Sequence, residues 1–168
     1  GLWPPRQLCQ DVRSHRRSPP AHAASHLITT RAHVGIGVVT LDEINTIPFS
    51  NARKLVFRRA VEDLSVHTSV EKLIIDGSGF FEGFNNVPFE CVVKADAKYP
   101  CVSAASIVAK TVRDNFIAEL CEEDGHNAAR YSWHKNKGYP TREHINAIRE
   151  YGITPHHRIH FKPCQPTN

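Results

Sequence analysis

The sequence predicts an α/β fold, and three observations carry that reading. Residues 34–39 and 72–77 are apolar, β-branched runs, the second bounded by turn residues. An amphipathic stretch lies between them, and residues 103–120 repeat apolar positions at helical spacing. Strand, helix and strand in that order suggest a parallel crossover within one sheet. With 168 residues, 40% apolar and 23% charged, the chain has the make-up of one ordinary globular domain. No apolar run approaches the roughly 18 residues of a membrane helix, so membrane-spanning, collagenous and wholly disordered readings fall away.

Taken in order, residues 1–31 hold Pro4-Pro5, Pro19-Pro20, several His and five Arg without a sustained apolar period, and are expected to be loop or disordered. Val34-Gly35-Ile36-Gly37-Val38-Val39 is the first expected strand. Pro48 and Ser50 signal the start of a helix carrying Ala52, Leu55, Val56, Ala60 and Leu64. Lys72-Leu73-Ile74-Ile75 forms the second strand, ending on Asp76-Gly77, and residues 89–96 a third, ending on Asp96. Ala105, Val108, Ala109, Val112, Phe116 and Leu120 define the expected core face of the long helix. Its opposite face gathers Ser103, Ser106, Lys110 and Arg113. A last helix is expected from Thr141 as N-cap, through Ile145, Ile148 and Tyr151, to Gly152, with Pro155 as a stop.

Charge is polarised along the chain. Residues 1–33 carry five Arg and one Asp, residues 34–129 nine basic and fourteen acidic groups, and residues 130–168 seven basic and two acidic. An acidic middle followed by a basic end suits a site that holds cations beside a surface that attracts polyanions; solvated helix faces would give the same tally. Asp76 and Asp96 close expected strands, where open α/β sheets place ligands, and a Mg²⁺ or Mn²⁺ ion between two carboxylates would remove their repulsion. The plainer reading makes both of them turn residues. The Ser103, Ser106 and Lys110 stripe could hold phosphate, or the serines could simply cap the helix.

Residues 131–141 interleave aromatics and cations, as nucleic-acid surfaces do, although Trp133 could equally pack in the core and His144 could be a satisfied buried residue. His156-His157 lacks the spaced partners of a zinc site. Five cysteines without a CxxC pair point to a reducing, cytoplasmic setting.

The order of motifs resembles a known family. Ile75-Asp76-Gly77, Lys94-Ala95-Asp96, Ser103-Ala104-Ala105-Ser106-Ile107-Val108-Ala109-Lys110, Arg113-Asp114, His134-Lys135-Asn136-Lys137-Gly138-Tyr139-Pro140-Thr141 and His157-Arg158 near Phe161 are similar to ribonuclease HII. The resemblance covers residues 32–163 as one domain, leaving 164–168 as a short tail. It implies a ribonuclease-H-like mixed sheet flanked by helices, with a helical C-terminal part. It also implies endonucleolytic hydrolysis with two divalent cations, Mg²⁺ or Mn²⁺, on RNA/DNA hybrids and 5′ to ribonucleotides embedded in DNA. On that resemblance Asp76 and Asp96 are metal-binding catalytic carboxylates. Tyr139 packs at the RNA–DNA junction nucleotide, and Ser103, Ser106, Lys110 and Lys137 contact substrate. A monomer with no membrane association is expected.

The chain departs from the family at its start, because no strand ending in Asp-Glu-x-Gly-Arg-Gly is present. The adjacent pair Asp42-Glu43 precedes the first helix and is not assigned to catalysis. With no Met and an atypical opening, the chain is expected to be N-terminally incomplete, lacking the first strand or strands and two of four carboxylates. Two carboxylates carry −2 against the +4 of two divalent ions, and an unpaired buried amide costs about 1–3 kcal/mol. Marginal stability and little nuclease activity are therefore expected. The alternatives are a non-catalytic nucleic-acid-binding remnant and an incomplete gene product.

Overall fold

A computed structural model describes residues 21–79, 84 and 87–165. It divides into two compact units. The first contains the described residues before Val39 together with Val56–Thr111; the second contains Val39–Leu55 and the described residues from Val112 onward.

In the first unit, residues 21–31 depart from the expected loop and form helix α1 (Ala21–Arg31). Four alanine and leucine residues favour a helix there, and Ala24, Ser25 and Ile28 are buried on one side. Residues 1–20 of the expected loop lie outside the described residues. The expected strand at 34–39 also differs: among the described residues it pairs with no other strand. Side chains of the following helix take its backbone groups instead. The Ile36 N–H donates to Asp63 Oδ2 at 2.8 Å, and Arg59 Nη1 donates to the Val38 carbonyl at 2.6 Å. A Cβ at Gly35 would strike the Ala60 carbonyl oxygen, and one at Gly37 the Val56 carbonyl oxygen. Strand propensity is realised only against a neighbouring edge; without one, the backbone takes whatever partners are near.

The helix receiving this segment continues from the second unit. There α2 (Leu41–Thr46) opens with a reciprocal cap, in which Thr40 Oγ1 accepts from the Glu43 N–H and Glu43 Oε2 accepts from the Thr40 N–H. The Asp42-Glu43 pair is thus part of a helix start. Helix α3 (Phe49–Ser65) follows directly after Pro48. Strands β1 (Leu73–Asp76) and β2 (Phe89–Val92) pair in parallel, with Leu73 opposite Phe89 and Asp76 opposite Val92. The architecture of the described residues is mixed α/β, helices with one parallel two-stranded sheet among them. The core of this unit centres on Ile75 and Phe84, with Phe57, Val61, Leu73, Val87 and Cys91 packed around them.

The expected third strand is shorter than residues 89–96. It stops at Val92, and Lys94 turns the chain in a left-handed conformation (φ 56°) into the single-turn helix α4 (Ala95–Lys98). Helix α5 (Pro100–Glu123) is longer than residues 103–120 and rotated from the expected face. Ala105, Ala109 and Phe116 are exposed, Phe116 by 65%, whereas Val108, Thr111 and Cys121 are buried. Periodicity reveals an apolar stripe, but the packing partner decides which stripe is covered.

The second unit continues with α6 (Gly125–Arg130), capped by the Asp124 carboxylate, then α7 (Trp133–Asn136), α8 (Arg142–Tyr151) and a 3₁₀ turn at Lys162–Cys164. The expected cap at Thr141 is present: its hydroxyl accepts from the His144 N–H at 3.3 Å, and Gly152 (φ 80°) ends α8. Tyr131, Trp133, Cys121, Ala128, Ala147 and Ile148 form its core.

Candidate functional site

Asp76 is the last residue of β1, where the strand leaves the sheet through Gly77 (φ 114°). Its carboxylate is exposed, and Oδ1 accepts the backbone N–H of Ala95 at 2.8 Å. The Gly77 N–H reaches back to the Val92 carbonyl at 3.0 Å, so the strand ends are tied to one another. Asp96 follows Ala95 directly. It sits in the first turn of α4 rather than at the end of a strand, and it too is exposed. The two carboxylates are therefore brought to the same end of the parallel pair, joined through one hydrogen-bonded backbone step.

Could this pair hold two divalent ions? One oxygen of Asp76 is already engaged by an amide, and among the described residues no group of three or more His, Cys, Asp or Glu side chains gathers as a metal site. A charge of −2 does not neutralise two divalent cations. The described residues fit weak binding of a single ion and do not fit a complete two-ion centre.

Of the expected phosphate stripe, Ser103, Ser106 and Lys110 share one face of α5 at spacings of three and four residues. The serines do not cap the helix. It begins at Pro100, the Tyr99 carbonyl receives the Val102 and Ser103 N–H groups, and Ser106 Oγ donates to the Ser103 carbonyl at 2.8 Å. Ser106 and Lys110 are exposed and Ser103 half-buried. Arg113 leaves the stripe altogether, because its guanidinium lies over the Tyr139 ring, 4.4 Å from the centroid.

Tyr139 belongs to the second unit and projects from a tightly specified loop. Lys137 and Gly138 adopt consecutive left-handed conformations (φ 50° and 73°), and the buried Asn136 side chain accepts the Gly138 N–H and donates to the Tyr131 carbonyl. The Tyr139 N–H donates to the Asn136 carbonyl at 2.8 Å. Tyr139 as a residue remains 51% exposed. Lys137 is half-buried; its backbone N–H closes α7 on the Trp133 carbonyl. The other aromatics of this stretch turn inward: Tyr131 and Trp133 stack on each other in the core, leaving Tyr139 as the exposed ring among them.

Sequence reasoning missed two features of this region. One is the Arg113–Tyr139 stack, which no local spacing announces. The other is a contact between two buried histidines, His144 and His157, whose Nε2 atoms lie 3.2 Å apart. A signal for it exists in Thr141-x-x-His144 and Thr154-x-x-His157, the same short motif occurring twice. Burial, reinforced by His144, pushes the His157 imidazole down to about 4. Burial, followed by the charge of Arg113, lowers the Arg158 guanidinium below its ordinary value. No helix among the described residues is long and apolar enough to cross a membrane.

Comparison with known proteins bears on the same residues. A family model described as Ribonuclease HII matches residues 13–164. Among curated relatives, the Ribonuclease HII of Phocaeicola vulgatus is 45% identical over 126 residues, covering 75% of this chain and 59% of the relative. That of Christiangramia forsetii is 42% identical over 128 residues, 76% of this chain and 61% of the relative. That of Thermotoga maritima is 42% identical over 137 residues, 81% of this chain and 53% of the relative. The chain spans between about half and three-fifths of the length of these relatives.

Proposed function

Because the chain belongs to the ribonuclease HII family, we propose that it contributes to an endonuclease that cleaves the RNA strand of RNA/DNA hybrids and incises 5′ to ribonucleotides embedded in DNA. Supporting this reading above all is the pair of exposed carboxylates at the ends of the parallel strands, with Asp76 oriented by the Ala95 amide and Asp96 next in the chain. Mg²⁺ or Mn²⁺ is the proposed cofactor of the complete site, of which these two carboxylates are one half. Ser103, Ser106, Lys110 and Lys137 contact backbone phosphates, and Tyr139 offers its exposed ring to the nucleotide at the RNA–DNA junction. The protein acts as a monomer in the cytoplasm, and residues 32–163 form its working domain.

With half a metal site, the chain by itself binds nucleic acid better than it cleaves it. A purely binding role is the second reading, and the incomplete carboxylate set favours it. Incision of a labelled DNA duplex carrying one ribonucleotide, with Mg²⁺ or Mn²⁺, separates the two. The 168-residue chain is compared with its Asp76→Asn and Asp96→Asn variants. Little or no cleavage by a folded parent, alongside binding that weakens steeply with salt, is expected. Rapid cleavage lost in both variants would establish that the site is completed in a way the described residues do not reveal. Folded protein that neither cleaves nor binds the duplex would overturn the proposal.

A further inference from the structure

The two buried histidines form a directed chain of hydrogen bonds, and its far end is the carbonyl of Tyr139. Each link has one chemically permitted direction. The Thr154 N–H, 3.0 Å from His157 Nδ1, can only donate, so that nitrogen carries a lone pair. The Thr154 hydroxyl lies 2.9 Å from the same nitrogen, and its oxygen already accepts the His156 N–H, so it too can turn its proton toward Nδ1. A neutral His157 must then carry its proton on Nε2. That proton faces His144 Nε2 at 3.2 Å, which must accept it. His144 consequently carries its own proton on Nδ1, and Nδ1 lies 3.0 Å from the Tyr139 carbonyl oxygen, which can only accept. All four ring nitrogens are satisfied, and both rings are buried with 6% exposure.

Two further restraints meet at Tyr139. The Thr141 N–H also donates to its carbonyl, at 2.8 Å, and the Arg113 guanidinium covers one face of its ring. The Tyr131 ring, itself tied by its hydroxyl to the Gly152 carbonyl at 2.9 Å, packs edge-on against both imidazoles and keeps them from turning. We propose that His144 and His157 are positioning residues: their relay from Thr154 fixes the Tyr139 carbonyl, and thereby aims the exposed ring at substrate. The functional half of this inference rests on the reading of Tyr139 as a substrate-facing residue. The relay itself does not.

Asparagine and glutamine separate positioning from packing. In His144→Asn the amide stands where Nδ1 stood, so the bond to Tyr139 survives while the link to His157 is lost. In His144→Gln the amide reaches the place of Nε2, and the bond to Tyr139 is lost. Both variants give up the same ring packing. The full chain labelled with ¹⁵N-histidine should show Nδ1–H at His144 and Nε2–H at His157. The ring-current shift of Tyr139 on the Arg113 side-chain protons should persist in His144→Asn and vanish in His144→Gln. Preference for a duplex with one ribonucleotide over its all-DNA counterpart should fall about two- to tenfold in His144→Gln and less than twofold in His144→Asn, the range expected for one hydrogen bond. An Nε2–H tautomer at His144, or equal loss of ring-current shift in the two variants, would overturn the relay. If Tyr139→Ala leaves the preference unchanged, the substrate role of Tyr139 fails instead, while the tautomers and ring-current shifts still decide the relay.

Discussion

In the second unit Tyr131 and Trp133 are almost wholly buried and all four ring nitrogens of His144 and His157 have partners. In the first, the cluster around the strands has Ile75 and Phe84 as its fully buried members among the described residues and borders an open apolar cavity of about 170 Å³, lined by Phe57, Val61, Leu64 and Ile74 among others. The difference follows how each is built. The second unit consists of short helices whose backbone bonds are internal and whose aromatic core comes from neighbouring stretches of sequence. The first depends, among the described residues, on a sheet of two short strands, and strands gain stability from neighbours on both edges. Tyr139 therefore stands on a firm base and Asp76 and Asp96 on a slight one.

Core truncation tests that contrast most severely. Tyr131→Ala should cost about 3–5 kcal/mol, because a fully enclosed ring and its hydroxyl bond to Gly152 are lost together, as read by urea unfolding. Ile75→Ala, beside existing empty space, should cost about 2 kcal/mol, the low end for such a change. Equal losses would break the comparison.

Acid should weaken the second unit selectively. The His157 imidazole is lowered from 6.5 to about 4, so between those values the unfolded chain binds a proton that the folded chain refuses. Stability conferred by neutral His157 is full above about pH 6.5 and declines as pH falls toward 4, by roughly 3 kcal/mol. Urea midpoints at pH 7 and pH 4.5 should diverge in the parent and much less in His157→Gln. A parallel shift in both would remove His157 as the cause.

Smaller effects sharpen the picture. Thr141→Ala removes the cap of α8 and should cost about 1 kcal/mol by thermal or urea unfolding. The exposed Lys72–Glu90 pair, 2.8 Å apart between the start of β1 and β2, should show little coupling in a double-mutant cycle, and less at high salt. A larger value would mean that the sheet owes more to its surface than its thin core suggests.

Local signals were legible wherever the chain satisfies itself. The helix after Pro48, the strand ending at Asp76, and the cap and stop of α8 could all be read from single residues and their spacing. Long-range partners were not. Residues 34–39 have the composition of a strand but meet helix side chains, and α5 buries Val108 and Thr111 where Ala105, Ala109 and Phe116 looked apolar enough to lead. At the site, Asp76 was legible at its strand end, whereas Asp96 lies in the first turn of a short helix that the chain enters through the left-handed Lys94. Tyr131 and Trp133 could not be told from surface aromatics, since aromatic side chains serve cores and nucleic-acid surfaces alike.

The two glycines at 35 and 37 act together as a vernier. Alternate residues of an extended chain are about 6.6 Å apart, and residues four apart on a helix about 6 Å, so the two repeats nearly coincide. Gly35 and Gly37 fall opposite successive steps of the Val56, Ala60 and Leu64 row. Sliding the segment by one residue would drive the side chain of Ile36 into the helix backbone, and sliding by two would seat one glycine in the other's notch and force Val39 or His33 into the notch left behind. Register between an extended segment and a helix, which share no ladder of hydrogen bonds, is thereby set by the absence of volume at two places.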